Sequence, residues 1–474
     1  MIWSIAWENV WRNKRRSLVV IIAVTLGIIA GTFLIGIMEG WTRQRLNDAI
    51  YNEVSHIQIH NPAYLRNEEI DLTVKDLAAI SNSIDTIKQV KSWVKRTKIV
   101  VMANTPWANT GIMLYGIDPE REKKVTNIYK ELVPGGGKYP DNQTRDEILI
   151  SDKTAELLKL KQYIVTDSTV VALKSAGVPQ SVTGKIESLK GRLYRSPKDF
   201  RDALAAELTA GEFKNYSAVI ASEALVYRIR NKVQITTSDI KGNPVQGIFR
   251  VCGIYKTTNT GFDQSAAFVN GRDLAGLCGT DSIPTHEIAI LLKDINDVGI
   301  VRDELKSVSH GNSVETWREM APDAAMMNDF MLLYYFIYIG IIMLALAFGI
   351  INTMLMAILE RTKELGMLMA IGMNRKRIFF MIMLETVFLT FTGALAGMLL
   401  GWGIMEILGR TGIYFAGWGE GFEAIGFAAR VYPVVTPQFF AFTTAMVIVT
   451  AIVASIWPAR KALKLIPVDA LRTE

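Results

Sequence analysis

The stretch Glu360-Arg-Thr-Lys-Glu-Leu-Gly-Met-Leu-Met-Ala-Ile-Gly-Met-Asn-Arg-Lys-Arg377 joins two long apolar runs and carries charge at both ends. Its middle, Leu365–Met373, is almost wholly apolar and rich in methionine. A solvated loop gains nothing from such a run, because contiguous exposed apolar surface marks a contact. Methionine also adapts its shape to a partner's groove. The stretch therefore reads as a short helix presented to another protein at a membrane surface.

The runs on either side carry the membrane reading. Phe330–Leu359 holds no charge. As a helix it would reach roughly 45 Å, beyond a hydrocarbon core of about 30 Å, so it tilts or projects as a stalk. Asn328, Asp329, Tyr334, Tyr335 and Tyr338 near its start suit an outer interface. Ile378–Met405 is interrupted only by Glu385, and Gly393, Gly397 and Gly401 recur at intervals of four. Such a stripe lets another helix, or another subunit, approach closely. Ser17–Met38 is uncharged and contains a second small stripe, Ala23, Gly27 and Gly31. It is too long for a signal-peptide core and no clean Ala-x-Ala site follows, so it reads as a retained span. Pro437–Trp457 is the fourth run.

Arg12, Lys14, Arg15 and Arg16 precede the first run, while Arg460, Lys461, Lys464 and Arg472 follow the last. With the basic end of 360–377, these residues put both termini and that loop on the cytoplasmic side. Trp3, Trp7 and Trp11, four apart, form the aromatic stripe of an interfacial helix. The expected fold class is an α-helical membrane protein with four transmembrane helices and a large extracytoplasmic α/β domain.

Composition agrees. The chain has 474 residues, of which 50% are hydrophobic and 21% charged, enough for two or three domains. The net charge of +6 gathers beside the apolar runs, which speaks for membrane orientation and against nucleic acid. The expected divisions are 1–45 for the interfacial helix and first span, 46–325 for a periplasmic domain, and 326–474 for the other spans. Within the last lie a coupling segment, 360–377, and a cytoplasmic tail, 459–474. In the outer domain Val54–Ile59, Ile99–Ala103, Ile112–Tyr115, Glu147–Ile150, Thr169–Leu173, Ala218–Ile220, Lys232–Thr236, Ile248–Ile254, Ala266–Val269 and Glu287–Leu292 read as strands. Helical patterns alternate with them, including Leu77–Val90, Pro119–Tyr129, Pro197–Leu208 and Ser222–Arg230, which suggests βαβ units. A second subdomain is expected near 150–258, around the basic stretch Ser175–Gly242. Glu406–Thr436, with Trp418, Phe422 and Tyr432, is expected to pack at the outer interface.

Chemistry-bearing motifs are sparse. Gly177 and Gly184-Lys185-Ile186 have the wrong glycine spacing for a phosphate loop and lack its Ser/Thr. His286-Glu287-Ile288-Ala289-Ile290 begins like a zinc-protease motif but lacks the second histidine and reads as a strand. His56, His60, His286 and His310 show no metal-ligand spacing. Cys252 and Cys278 could pair outside the cytoplasm, but a large domain needs no staple, which favours two buried thiols. The chain is expected to be non-catalytic, with no cofactor of its own. Glu385, an acid inside a span, is either functional, held by a buried polar partner, or close enough to the cytoplasmic surface to reach it.

Taken in order, these residues resemble the ABC-transporter permeases of the MacB/LolCDE/FtsX type. The likeness rests on Ala6-Trp7-Glu8-Asn9-Val10-Trp11-Arg12-Asn13-Lys14-Arg15-Arg16, on Glu360-Arg361-Thr362-Lys363-Glu364-Leu365-Gly366, and on Ala370-Ile371-Gly372-Met373. Glu385, Pro458-Ala459-Arg460-Lys461-Ala462 and Pro467-Val468-Asp469-Ala470-Leu471-Arg472 continue it, with Gly116-Ile117-Asp118-Pro119 and Glu315-Thr316-Trp317 outside. The resemblance implies a separate ABC ATPase in two copies that binds ATP and magnesium. It would be coupled through Glu360, Arg361, Glu364, Leu365, Gly366, Leu368, Ala370 and Gly372. It also implies a second permease subunit, identical or paralogous, in a bacterial inner membrane, and a mechanotransmission cycle. His56-Ile57-Gln58-Ile59-His60-Asn61-Pro62 looks closest to lipoprotein-releasing permeases, which implies a lipoprotein substrate and a periplasmic acceptor. MacB-like efflux of an amphiphile or peptide, and FtsX-like regulation of a cell-wall hydrolase, are the alternatives.

Overall fold

A computed structural model describes residues 7, 8, 10–12, 14–280, 283–415, 421, 422, 427, 428 and 430–463. Trp3, Asn9, Asn13, Trp418, Lys464 and the motif 467–472 lie outside the described residues. Internal contacts divide the chain into two units, one of residues 1–44, 326–419 and 428–474, the other of 45–325 and 420–427.

The first unit is helical. Among the described residues four helices are long and apolar enough to cross a membrane: Ser17–Val54, Pro322–Glu360, Arg375–Thr411 and Pro437–Leu463. The second has 39 residues without a break, about 58 Å of helix, so the stalk-like length expected of it is present. Their shared core draws on every helix: Val24 and Ile28, Ile350 and Met354, Ile382 and Leu389, Val447 and Ala451. The glycines set how closely they approach. A Cβ at Gly393 would stand 2.9 Å from the Ile21 carbonyl oxygen, and one at Gly397 3.0 Å from Ile28 Cβ. The third helix thus lies directly on the backbone of the first, and Thr25 Oγ1 donates to the Gly393 carbonyl at 3.0 Å. Gly401 continues the contact, 3.2 Å from Thr32 Oγ1. Gly27 faces Leu346 on the second helix with ordinary room (3.6 Å), while a Cβ at Gly31 would meet Thr443 on the fourth at a tight 3.3 Å. Both stripes serve packing within one chain.

The second unit is built on a ten-stranded sheet. Across it run Ser313–Thr316, Ile57–His60, Glu287–Leu292, Val90–Asn104, Asn109–Ile117, Ala266–Asn270, Glu147–Ser151, Pro244–Tyr255 and Leu132–Gly137, with Lys232–Ser238 paired to both Pro244–Tyr255 and Val90–Asn104. The expected βαβ alternation gives way to a mostly antiparallel sheet. Only Ala266–Asn270 with Asn109–Ile117, and Glu147–Ser151 with Pro244–Tyr255, run parallel.

A smaller sheet, Lys161–Ile164 with Leu193–Tyr194 and Leu225–Tyr227, packs with helices Asp167–Ser175, Pro197–Glu207 and Ala210–Ala224. Tyr163, Leu173, Phe200, Leu204 and Ile220 form its separate core. This subdomain is narrower than 150–258, because Lys232–Ser238 and Pro244–Tyr255 belong to the large sheet.

Three local expectations are corrected. Thr169–Leu173 is helical: Thr166 and Thr169 cap the segment reciprocally, and the buried positions Val170 and Leu173 follow helical spacing. Ala218–Ile220 lies inside helix Ala210–Ala224, which Thr209 and Glu212 cap in the same way. Ser222–Arg230 instead contributes the strand Leu225–Tyr227. Cys252 and Cys278 are free and buried, and burial pushes their thiols up to about 12 and about 11.

Candidate coupling site between the second and third long helices

The second long helix ends at Glu360. Arg361 leaves helical geometry (φ −103°, ψ 17°), and a separate helix covers Thr362–Ala370. It stops because Gly372 takes φ +93°, which costs glycine little. Met373 N–H then bonds to the Leu368 carbonyl at 3.0 Å and Gly372 N–H to that of Met369 at 3.1 Å, a Schellman ending. Asn374 restarts the chain as N-cap of Arg375–Thr411, accepting the Lys376 N–H at 2.9 Å.

This nine-residue helix has two faces. Leu365 and Gly366 are buried, and Leu368 and Met369 are half-buried against the bundle core. On the other side Met367 is 52% exposed and Ile371, just past the end, 79% exposed, with Ala370 and Gly372 also exposed. The residues expected to act together therefore divide. Leu365, Gly366 and Leu368 seat the helix, Ala370 and Gly372 lie on its open side, and Glu360 is exposed at the end of the second long helix.

Arg361, Glu364 and Glu385 form the polar part of the site. Arg361 Nη1 reaches Glu385 Oε2 at 3.1 Å, and its Nε reaches Glu364 Oε2 at 3.0 Å. Glu364 in turn accepts from Arg12 Nη2 at 2.7 Å. Arg12 first, and Arg361 with it, holds the Glu364 carboxyl below its ordinary range. Glu385 sits about 15 Å along the third helix from Arg375, with its side chain 4% exposed. The polar partner expected of it is Arg361.

Sequence reasoning missed a second polar cluster, inside the outer unit. Arg96 lies between Glu122 (2.6 Å) and Glu287 (2.5 Å), and Lys98 reaches Glu287 at 3.0 Å. Burial penalises the Glu287 carboxylate, but Lys98 and Arg96 outweigh it and hold the group at about 2. Tyr64 stacks between His60 and His286, with ring centroids 6.2 and 4.9 Å away. The signal was a Glu at the head of an apolar strand opposite Arg96 and Lys98, but only the pairing of Glu287–Leu292 with Val90–Asn104 brings them together. The motif His56–Pro62 also lies in this unit, buried from His56 to His60, with Asn61 half-buried and Pro62 exposed. Among the described residues no group of His, Cys, Asp or Glu is arranged to hold a metal.

The helical unit thus places a capped, two-faced helix between its second and third long helices. Residues 336–467 match the family described as FtsX-like permease C-terminal. Over 126 residues the chain is 37% identical to a macrolide export ATP-binding/permease protein MacB from Chlorobium luteolum, covering 27% of this chain and 16% of that protein. It is 30% identical over 189 residues to the uncharacterized ABC transporter permease YvrN of Bacillus subtilis, covering 40% of this chain and 42% of the relative. The permease YknZ of the same organism, also uncharacterized, is 26% identical over 355 residues, 69% of this chain and 83% of YknZ. The chain thus spans well under two thirds of the first two relatives. It carries an FtsX-like permease domain and is homologous to the MacB and YknZ/YvrN permeases.

Proposed function

We propose that this chain is the non-catalytic permease subunit of an ABC transporter, driven by a separate ATPase that binds ATP and magnesium. The observation that carries the reading is the Thr362–Ala370 helix, seated by Leu365 and presenting Met367, Ala370 and Ile371, inside the region that matches the FtsX-like family. An apolar face beside charged residues suits docking into a protein groove. In this reading the face is cytoplasmic, two permease and two ATPase subunits assemble in a bacterial inner membrane, and the outer domain is periplasmic. ATP-driven movement of the short helix passes to the second long helix, whose 39 unbroken residues act as a lever rather than a pore. The work is done on the periplasmic side, and substrate does not thread the four helices.

For the substrate we propose an amphiphile taken up from the membrane's outer leaflet or the periplasm, as MacB-like efflux requires. Lipoprotein release is the narrower version, with a soluble acceptor. Of its motif, His56–Pro62, residues His56 to His60 are buried, Asn61 is half-buried and Pro62 exposed, so most of that resemblance concerns the fold of the domain rather than a substrate contact. Regulation of a cell-wall hydrolase is the reading without a transported substrate.

Reconstitution of the chain with its ATPase, in proteoliposomes carrying lipoprotein or a labelled amphiphile, tests the proposal. ATP-dependent release should occur with wild type. It should be lost in Gly366→Pro, which breaks the short helix at a cost of about 3 kcal/mol, and in Leu368→Asp. Hydrogen exchange in the outer domain should stay unchanged in both. Full activity in both variants contradicts the coupling role, and hydrolase binding without release favours the regulatory reading.

A further inference from the structure

We propose that Arg361 is a positioning residue. It ties the Thr362–Ala370 helix to the third long helix through Glu385 and to the N-terminal segment through Glu364 and Arg12, so that the three move as one body. The inference rests on the permease reading and specifies how displacement at the short helix spreads.

Geometry is the first support. Arg361 stands at the break between two helices, the point where the short helix would otherwise swing freely. Its guanidinium is a rigid fork able to serve two carboxylates at once, and it does so, at 3.0 Å to Glu364 and 3.1 Å to Glu385. Both oxygens of Glu385 lie within reach, the second at 3.4 Å.

Burial is the second. Met354, Ala357, Ile358, Leu365, Met381 and Ile382 line the same small cavity as Arg361 and Glu385, and the Glu385 and Arg361 side chains are 4% and 16% exposed. Apolar packing of Leu365 and Leu368 could seat the helix more simply, since a buried ion pair is often no more stable than apolar residues of equal volume. What the pair adds is direction and register.

The third support is the extension to Arg12, whose contact with Glu364 at 2.7 Å joins residues 352 apart in sequence. Trp7, nearby in the same segment, meets Phe388 of the third helix edge-on, with centroids 5.5 Å apart. The N-terminal segment therefore contacts both the short helix and the third helix.

Hydrogen exchange of amides 362–373 on the full chain in nanodiscs, without ATPase, tests the tie. Arg361→Gln and Glu385→Gln should each accelerate exchange by roughly tenfold, as loss of a charged hydrogen bond implies. The double Gln variant should be no faster than the faster single. With ATPase added, the single variants should lower kcat for ATP while leaving KM unchanged. Wild-type exchange in both singles, or additive acceleration in the double, overturns the proposal. A wild-type chain that shows the tie but never stimulates an ATPase contradicts the permease reading and leaves the tie standing.

Discussion

Replacing Gly393 by alanine tests how the helical unit is assembled. The added methyl would stand 2.9 Å from both the Ile21 carbonyl oxygen and Val24 Cβ, so the backbone of the first helix has to retreat. Overpacking of this kind costs about 1–3 kcal/mol. The retreat also stretches the Thr25–Gly393 hydrogen bond, worth about 0.6 kcal/mol between membrane helices. Against this stands the better helix propensity of alanine, at most about 1 kcal/mol. The net expectation is a loss of about 1–3 kcal/mol. Gly27→Ala supplies the internal comparison, because its methyl would meet Leu346 Cδ1 at an ordinary 3.6 Å. That variant should be neutral or more stable by up to about 1 kcal/mol. Unfolding by steric trapping in bicelles, with both variants measured alongside wild type, gives the difference. If Gly393→Ala proves as stable as Gly27→Ala, the close approach of the first and third helices is wrong.

Two further outcomes concern the outer domain. Arg96→Met leaves Glu122 and Glu287 buried without their shared cation and should destabilise the domain by about 3–5 kcal/mol, read as faster hydrogen exchange across Glu287–Leu292. Two groups, His56 and Glu287, should each make stability fall with acid. His56 Nδ1 accepts the Leu292 N–H at 3.1 Å, and burial holds the ring at about 4 against an ordinary 6.5. The unfolded chain therefore takes the proton first, and this contribution is whole above pH 6.5 and lost on descent to pH 4. His60, also held at about 4 by burial, shares this window, and Asp263, pushed up to about 7 by burial, opposes it. The His56 share is therefore the difference between wild type and His56→Asn, whose melting temperature should fall less steeply from pH 6.5 to 4. Glu287, held at about 2 against an ordinary 4.5, adds a second loss below pH 4.5. An unchanged slope in His56→Asn would contradict the first assignment.

The four long helices were legible because each is a long apolar run flanked by basic residues, a pattern that survives without tertiary information. The short helix was legible for the same local reason. Its division into a seated and an open face was not, since that depends on where the bundle core lies. Glu385 stood out as an acid in an apolar helix, yet its partner lies 24 residues away, across the turn at Gly372. The β-branched run Thr169–Leu173 misled because local propensity favours a strand, while the cap at Thr166 and the core around Phe200 impose a helix. Arg96 was invisible for the opposite reason: on its own strand it looks like one more surface charge, and only strand pairing buries it.

The most direct test of the coupling role is site-specific photocrosslinking from Ile371 in native membranes, with Trp402, also exposed, as the comparison site. Mass identification should find an ABC ATPase joined at position 371 and absent at 402, and the product should disappear when Gly366→Pro is added. Crosslinks from 371 that contain lipid alone, or that match those from 402, would contradict a coupling helix at Thr362–Ala370.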